Sequence, residues 1–143
     1  DEIKDYGKFD IVTINGLLEY LPHQEILDLI KQIKTYSKKN ATILITTPNY
    51  SFLFFFIEKL SKYFGIIDYR EVNLSKFNKQ SLDKLLRIAD VEIVSIKKII
   101  NFGVFFAFVS SEIAMKLEIF FEKLFNNKIG FILMAELKIS KNE

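Results

Sequence analysis

Two short apolar runs joined by an amphipathic segment constrain the fold more than any other feature of this chain. Residues Phe9–Ile14 form the first run, which ends at Asn15-Gly16, and Ala41–Thr47 form the second, which ends at Pro48-Asn49. Both runs are apolar at nearly every position, which is typical of strands buried on both faces of a parallel sheet. The intervening stretch, His23–Lys39, is long enough for the crossover helix that parallel neighbours require. Ligands of such sheets lie beyond the carboxyl ends of the strands. We therefore expect a site at Asn15-Gly16 and Pro48-Asn49, the ends of the two runs, which we call the first and second corners.

Composition excludes several kinds of site. The chain has no cysteine, so it cannot form a disulfide, a thiolate metal site or a cysteine nucleophile. Its single histidine, His23, is too few for a histidine metal centre and is predicted to lie exposed in a first helical turn. The net charge of +2, with acidic and basic residues mixed along the chain, indicates no nucleic-acid partner. From the polar start of the chain we expect no signal peptide and a cytoplasmic protein, and from the composition we expect no metal.

The second half of the chain predicts a continued alternation of helices and strands. Lys38 and Lys39 are expected to close the first helix, where its dipole favours cations. The pattern indicates an α/β domain with at least four strands. The elements predicted after Asn49 are a very apolar helix to about Phe64, an ordered loop over Ile66–Phe77, a helix capped by Asn78, a strand over Val91–Ile100, a helix over Ser111–Phe125 and a strand over Ile129–Ile139.

Both later helices are predicted to be amphipathic. The helix after Asn78 would bury Leu82, Leu85, Leu86 and Ala89, with Phe77 and Leu82 at the positions of a hydrophobic staple. The apolar face of the other helix comprises Ile113, Leu117, Phe120, Phe121 and Leu124.

Two uncharged apolar stretches invite comparison with membrane segments. Tyr50–Ile57 would extend only about 12 Å as a helix, and Ile99–Ser111 is shorter than the roughly 20 residues of a membrane span. We therefore interpret both stretches as buried core. Contact with a membrane surface is the less favoured alternative.

Four short motifs follow one another along the chain. They are Phe9–Val12 with Leu18–Pro22, then Thr47–Asn49, then Asn73–Val91, and finally Gly130–Lys138. In this order they resemble motifs of the class I S-adenosylmethionine-dependent methyltransferases, especially the branch that methylates small molecules such as quinones, sugars and lipids. The resemblance covers nearly the whole chain, but only the second half of the family's domain.

The resemblance implies a fold and a missing part. The fold would be a Rossmann-like methyltransferase sheet made of strands four to seven, in the order 4-5-7-6 with the last strand antiparallel. The family binds its cofactor chiefly through a Gly-rich turn after its first strand, and no two glycines of this chain are close enough for such a turn. The chain also opens without Met at Asp1, almost directly on a strand. We therefore expect residues 1–143 to be a single α/β domain, the carboxyl-terminal portion of a methyltransferase domain.

The resemblance also implies site residues. Asn15, Gly16 and Leu17 stand where the family contacts its cofactor, S-adenosylmethionine, and Tyr20 replaces the family's histidine as the candidate catalytic residue. A phenol keeps its proton near neutral pH, so Tyr20 fits alignment of an acceptor better than general-base catalysis. Glu19, in the same turn, is interpreted as structural. The candidate substrate-binding residues are Asn49, Tyr50, Tyr69, Arg70 and Asn73.

Two functions from different classes remain open at this point. The favoured one is methyl transfer from S-adenosylmethionine to a small-molecule or lipid-like acceptor, by a fragment that needs its amino-terminal half. The alternative is a non-catalytic α/β module that binds a protein partner or a membrane surface through its apolar helices, and Gly16 and Tyr20 favour it because they depart from the family's pattern. A half domain would expose a sheet edge and apolar faces, so self-association is also expected.

Overall fold

A four-stranded sheet forms the centre of the residues that the computed structural model describes, which are 7–51, 59, 63, 74–126 and 128–139. Strands β1 and β2 are parallel, whereas β4 runs antiparallel to both of its neighbours, β2 and β3. The spatial order is β1-β2-β4-β3, so the predicted α/β fold, strand order and antiparallel last strand are confirmed. The strands are β1 (Phe9–Asn15), β2 (Ser37–Pro48), β3 (Glu92–Ile99) and β4 (Ile132–Lys138).

Three α-helices, each between two consecutive strands, are described from their first to their last residue. They are α1 (His23–Tyr36), α2 (Lys79–Ile88) and α3 (Ser111–Phe125), and short 3-10 helices occupy Leu18–Tyr20 and Phe102–Phe106. Helix α3 has the predicted bounds.

Helix α2 begins as its sequence predicts. Asn78 Oδ1 accepts a hydrogen bond from the Ser81 amide, and Ser81 Oγ accepts one from the Asn78 amide, both at 2.9 Å. Two amide groups at the start of the helix are thereby satisfied, as in a capping box. Phe77 and Leu82, the predicted staple, are both fully buried.

The core lies between the sheet and a single layer formed by α1 and α2. Side chains alternate between the two faces of a strand, and the buried set of each inner strand points toward these helices. The alternate residues of β2, such as Thr42 and Leu44, are only half buried. The core side chains come from α1 (Ile26, Ile30), α2 (Leu82, Leu85, Leu86), β2 (Ala41, Ile43, Ile45) and β4 (Leu133, Ala135, Leu137).

Strand β1 differs from its prediction. It was expected to be buried on both faces, but Ile11 is 63% exposed and Ile14 is the residue of the strand that reaches the core. The reason is position: β1 stands at the edge of the described sheet, with β2 as its neighbour on one side. Ile11 and Thr13 face away from the layer of α1 and α2.

The boundary between α1 and β2 also corrects the prediction. Helix α1 ends at Tyr36 instead of Lys39, because Ser37 Oγ donates to the Ile33 carbonyl at 2.7 Å and satisfies an acceptor of the last turn. Strand β2 then begins at Ser37, four residues before the predicted start. Lys38 therefore belongs to the strand, where its Nζ lies 2.7 Å from Asp10 Oδ2, and the predicted role of Lys38 and Lys39 at the helix end is wrong.

Helix α3 departs most from expectation. It packs on the 3-10 helix Phe102–Phe106, and Ala114 is its one buried residue. Several residues of its predicted apolar face are exposed, among them Phe120 and Leu124. The interpretation of Ile99–Ser111 as buried core is likewise wrong for Phe108, which is 87% exposed. The helix predicted from Tyr50 to Phe64 lies largely outside the described residues, although Lys59 and Tyr63 are helical, and most of the loop over Ile66–Phe77 lies outside them as well.

Candidate functional site

The first corner of the site is a tight turn that leaves β1 at the carboxyl edge of the sheet. Gly16 has a φ of +56°, a left-handed conformation that glycine adopts without strain. Its amide donates to the Thr46 carbonyl at 3.0 Å, and Thr46 Oγ1 donates to Asn15 Oδ1 at 3.1 Å. Both bonds cross from β1 to β2, so the neighbouring strand holds this turn in place.

A buried carboxyl group supports the turn from behind. Glu19 is 4% exposed, and its Oε2 accepts a hydrogen bond from Thr47 Oγ1 at 3.1 Å. Its Oε1 lies 3.5 Å from the place where a Cβ on Gly16 would stand. A buried carboxyl group is costly without hydrogen bonds, so the bond to Thr47 fixes where this side chain can lie.

The same turn is tied to the segment that precedes α2. The Ser75 amide donates to the Glu19 carbonyl at 3.0 Å, and Ser75 Oγ donates to the Leu21 carbonyl at 2.6 Å. The ring of His23 stacks on Phe77 with their centroids 5.6 Å apart. His23 is exposed at the first position of α1, as predicted.

The predicted cofactor and catalytic residues form an exposed rim around this buried support. Asn15, Gly16, Leu17 and Tyr20 are all exposed, whereas Leu18 and Glu19 between them are buried. The 3-10 helix Leu18–Tyr20 produces this alternation, because it turns one side of the segment toward the core and the other outward. The structure thus brings the four predicted residues together on one surface at the carboxyl end of β1.

The second corner, Pro48-Asn49 at the end of β2, offers little exposed surface to a ligand, because Asn49 is buried. Asn49 is fully buried, its Nδ2 donates to the Gly130 carbonyl at 2.7 Å, and its amide donates to the Phe131 carbonyl at 2.8 Å. Tyr50 is half buried, and its amide donates to the Phe77 carbonyl at 2.7 Å. Asn49 therefore ties β2 to the start of β4, and a substrate contact at this residue is still a prediction. Of the other predicted substrate residues, Tyr69, Arg70 and Asn73 lie outside the described residues.

A separate groove lies between α1 and α2, lined by Leu27, Asp28, Thr35 and Ile88 among others. Thr35 stands near the end of α1, so this groove reaches the edge of the sheet where β2 begins, opposite the two corners. It shares no lining residue with the rim. Among the described residues, no cluster of three histidine, aspartate or glutamate side chains could hold a metal ion.

The support of the corner by Glu19, Thr47 and Ser75 is the part of the site that sequence reasoning missed. One signal was available in β2. Thr47 continues the inward-facing series of Ala41, Ile43 and Ile45, so its hydroxyl enters the core and needs a buried partner. Ser75 carried no comparable signal, because its partners are the backbone carbonyl groups of a distant turn.

Comparison with known proteins agrees with this geometry. A family described as a methyltransferase domain matches residues 1–96, about two thirds of the chain, including β1, α1, β2 and both corners. No curated protein sequence matches the chain.

Solved methyltransferases share the fold. An S-adenosylmethionine-dependent methyltransferase from Archaeoglobus fulgidus is 18% identical with a TM-score of 0.54, over 96% of this chain and 65% of that protein. Magnesium protoporphyrin IX methyltransferase from Synechocystis PCC 6803, solved with bound S-adenosylhomocysteine, is 11% identical with a TM-score of 0.54, over 98% of this chain and 49% of that protein. Mitomycin 7-O-methyltransferase is 10% identical with a TM-score of 0.57, over 98% and 32% respectively.

The chain thus spans 65%, 49% and 32% of the lengths of these three proteins. The first protein depends on S-adenosylmethionine and the second holds S-adenosylhomocysteine, in agreement with the cofactor predicted for this family. The family match covers more than half of the sequence, and the sheet has the predicted class I strand order. The chain belongs to the methyltransferase domain family.

Proposed function

We propose that this chain is the carboxyl-terminal part of a cytoplasmic S-adenosylmethionine-dependent methyltransferase that acts on a small-molecule or lipid-like acceptor. The observation that carries the proposal is the exposed rim of Asn15, Gly16, Leu17 and Tyr20, held at the carboxyl end of a parallel strand in a chain of the methyltransferase family. Ligands of parallel sheets bind at this edge.

The rim has the chemistry that one wall of a cofactor site needs. Asn15 uses its side-chain oxygen to accept from Thr46, which leaves the two donors of its amide group for a ligand. Gly16 exposes backbone without a Cβ, so a ligand can approach closely. Leu17 adds an exposed apolar side chain next to these polar groups. When bound, S-adenosylmethionine supplies a methyl group activated by its sulfonium charge.

Tyr20 is placed to orient an acceptor beside this wall. Its ring is exposed, and its amide donates to the Leu17 carbonyl at 3.1 Å, which anchors it next to the proposed cofactor residues. Alignment of two reactants can supply a large part of a rate enhancement without a general base. Two of the matched proteins are named for porphyrin and mitomycin substrates, which supports a small-molecule acceptor here.

The edge of β1 supports the need for an amino-terminal half. Ile11 is 63% exposed on a strand with one described neighbour, and the half-buried Thr42 and Leu44 lie on the face of β2 that α1 and α2 do not cover. Exposed apolar strand edges invite pairing with another strand. A preceding strand and helix would satisfy both surfaces.

The coding sequence upstream of Asp1 is the first test. We expect it to continue in frame into a strand, a Gly-rich turn and an acidic residue roughly 20 residues further on. A start codon directly before Asp1 would contradict the fragment proposal and favour the non-catalytic module.

Binding of S-adenosylhomocysteine to the full in-frame product then tests the rim. Gly16→Ala should weaken binding severalfold, because alanine costs about 1–2 kcal/mol in a left-handed conformation, and relief of that strain would shift the turn that forms the rim. Gly7→Ala is the matched control, since Gly7 also has a left-handed φ (+75°) but lies before β1, at the opposite edge of the sheet. Equal affinity for the two variants in calorimetric titrations would exclude the rim from the cofactor site.

Variants of Tyr20 separate alignment from acid–base chemistry. Tyr20→Phe keeps the ring and should leave kcat within about twofold, whereas Tyr20→Ala should lower kcat about tenfold or more through lost alignment. A loss of 100-fold or more in Tyr20→Phe, within the usual range for a general acid or base, would instead assign proton transfer to the hydroxyl.

A further inference from the structure

Glu19 carries a charge that the fold buries without neutralising it. The residue is 4% exposed, yet none of the ion pairs between described residues involves it. Burying a carboxylate is costly, so buried charges are normally paired with a cation. Support of the turn through Thr47 requires only a neutral acceptor, which a glutamine would supply in the same place. The structural role of Glu19 therefore does not account for its charge.

The two carboxyl oxygens of Glu19 have different surroundings. Oε2 accepts the hydrogen bond from Thr47 Oγ1 at 3.1 Å, whereas Oε1 has no hydrogen-bond partner among the described residues. Three side-chain oxygens of the described residues lack a partner and are also sealed from solvent, those of Asn49, Ser95 and Asn101, and Oε1 of Glu19 is not one of them. An ionised carboxylate can accept about four hydrogen bonds. Oε1 is therefore free to contact a ligand.

Gly16 leaves the space next to Oε1 open. A Cβ on Gly16 would stand 3.5 Å from Oε1, and apart from the adjoining Asn15 and Leu17 no other described residue has a heavy atom within 4 Å of that place. Because glycine has no Cβ, a ligand atom can occupy this space and meet Oε1 at van der Waals distance. Gly16 itself belongs to the rim, so Oε1 is within reach of a ligand bound there.

We propose that Glu19 binds a cationic group of the cofactor through Oε1. The proposal rests on the proposed function, because S-adenosylmethionine carries two cations, a sulfonium and an α-ammonium. The residues of the rim are all uncharged, namely Asn15, Gly16, Leu17 and Tyr20. Opposite charges attract more strongly in a partly buried site than in bulk water. Glu19 supplies the recognition of charge that the uncharged rim lacks.

The two cations of the cofactor lead to different preferences. When the methyl group is transferred, its bonding electron pair stays on sulfur, so S-adenosylhomocysteine has a neutral thioether but keeps the α-ammonium. If Oε1 contacts the sulfonium, Glu19 makes the site prefer the methyl donor over this product. If Oε1 contacts the α-ammonium, Glu19 holds both molecules equally. Either contact is lost when the charge of Glu19 is removed.

Binding titrations of the full in-frame product test the proposal, with S-adenosylmethionine and S-adenosylhomocysteine as separate ligands. Glu19→Gln keeps the shape of the side chain and an acceptor for Thr47 but removes the charge. We expect this variant to bind S-adenosylmethionine about tenfold more weakly. It should unfold at the same or a higher temperature, because an unpaired buried charge is removed. Glu25→Gln is the matched control, since it removes the same charge from an exposed position in the first turn of α1.

A second variant separates charge from structure. Glu19→Asp keeps the charge, but its side chain is one methylene shorter and reaches Thr47 less well. If the charge binds the cofactor, Glu19→Asp should bind S-adenosylmethionine more tightly than Glu19→Gln does. The opposite order would assign Glu19 a purely structural role and overturn the proposal.

The two ligands identify the cation. Weaker binding of S-adenosylmethionine alone by Glu19→Gln would assign the sulfonium, and weaker binding of both ligands would assign the α-ammonium. Unchanged affinity for both ligands would overturn the proposal and leave the proposed function intact, and so would an equal loss in Glu25→Gln, which would indicate a long-range effect of net charge. A wild-type protein that binds neither ligand would instead contradict the proposed function and this proposal with it.

Discussion

Helices α2 and α3 look alike in sequence but are attached to the molecule in different ways. Helix α2 places Leu82, Leu85 and Leu86 in the core, and a two-bond cap closes its start. Helix α3 has one buried residue, Ala114, and its firmest polar contact is that of Glu118 with backbone amides of the preceding connection. Helix α2 is held by burial of its leucines. Helix α3 is held by the close approach of its backbone to Gly103 and by the hydrogen bonds of the Glu118 carboxylate.

The difference shows that an amphipathic pattern identifies an apolar face but not what covers it. The layer on the sheet is already filled by α1 and α2, and α3 packs on the connection Phe102–Phe106 instead. The ring of Phe102 lies edge-on to Phe121, Phe125 and Phe131, with centroids 5.5 to 6.3 Å apart. This aromatic cluster is the apolar contribution to the attachment of α3.

The largest difference between the helices should come from truncating a leucine in each. Leu86→Ala removes a fully buried side chain of α2 and should cost about 2–5 kcal/mol of unfolding free energy. Leu124→Ala, at a 60% exposed position of α3, should change it by less than about 0.5 kcal/mol. Denaturant unfolding of both variants measures the contrast, and equal losses would show that α3 is as well buried as α2.

The next effect concerns the close contact between the backbone of α3 and Gly103 of the 3-10 helix. A Cβ on Gly103 would stand 2.5 to 2.7 Å from backbone atoms of Ala114 and Glu118, so Gly103→Ala must push α3 outward at about 1–3 kcal/mol. We expect faster hydrogen exchange in α3 and unchanged exchange in α2. Ala107→Gly, at an exposed position of the same connection, is the control. Unchanged exchange in α3 would mean that the contact with Gly103 does not hold the helix.

A smaller contrast lies in the helix caps. Asn78→Ala should cost about 1 kcal/mol, because it removes the side-chain acceptor of the capping box of α2. Ser110→Ala should cost about 0.5 kcal/mol, since Ser110 Oγ accepts only from the Ile113 amide, at 3.4 Å. Thermal unfolding of both variants measures the two costs, with Lys79→Ala, at an exposed position next to Asn78, as the control. A larger loss of stability for Ser110→Ala than for Asn78→Ala would contradict the prediction that the cap of α2 is the stronger one.

The smallest effect concerns an ion pair on α2 and depends on pH. The hydrogen bonds from Arg87 to Asp83, at 2.7 and 3.2 Å, hold the pKa of Asp83 below its ordinary value of 3.8. A carboxyl whose pKa is lowered on folding stabilises the protein above its unfolded pKa, and this contribution is lost as the pH falls through the folded pKa. Stability curves of wild type and Asp83→Asn should therefore differ slightly near neutral pH and converge in acid. A constant gap would exclude the ion pair as its cause.

Much of the sheet was predictable, because β2, β3 and β4 follow local patterns of apolar residues and the cap at Asn78 is a local signal. The exposure of Ile11 was not predictable, since it depends on which strand stands beside β1. The end of α1 at Tyr36 depends on one side-chain bond, from Ser37 to Ile33, that the run of apolar residues does not encode. In the site, the resemblance pointed to Asn15, Gly16, Leu17 and Tyr20, which share the exposed rim.

The support of that rim was harder to foresee, because it joins residues far apart in the sequence. Glu19, Thr47 and Ser75 meet only after β1, β2 and the segment before α2 have come together. Asn49 illustrates the reverse case. Its place after a strand suggested contact with a substrate, whereas its burial and its bond to the Gly130 carbonyl depend on β4, more than 80 residues further on.

The bonds of Ser75 to the turn of Glu19 make two distant segments open and close as one unit. The Ser75 amide can exchange its proton with water only when it leaves the Glu19 carbonyl, and that step loosens the same turn that presents Gly16. A ligand that binds the closed turn must therefore slow exchange at Ser75, although it touches neither the hydroxyl nor the amide of that residue. The hydrogen-exchange rate of the Ser75 amide would therefore report the fraction of molecules with a ligand bound at the rim, whatever that ligand is.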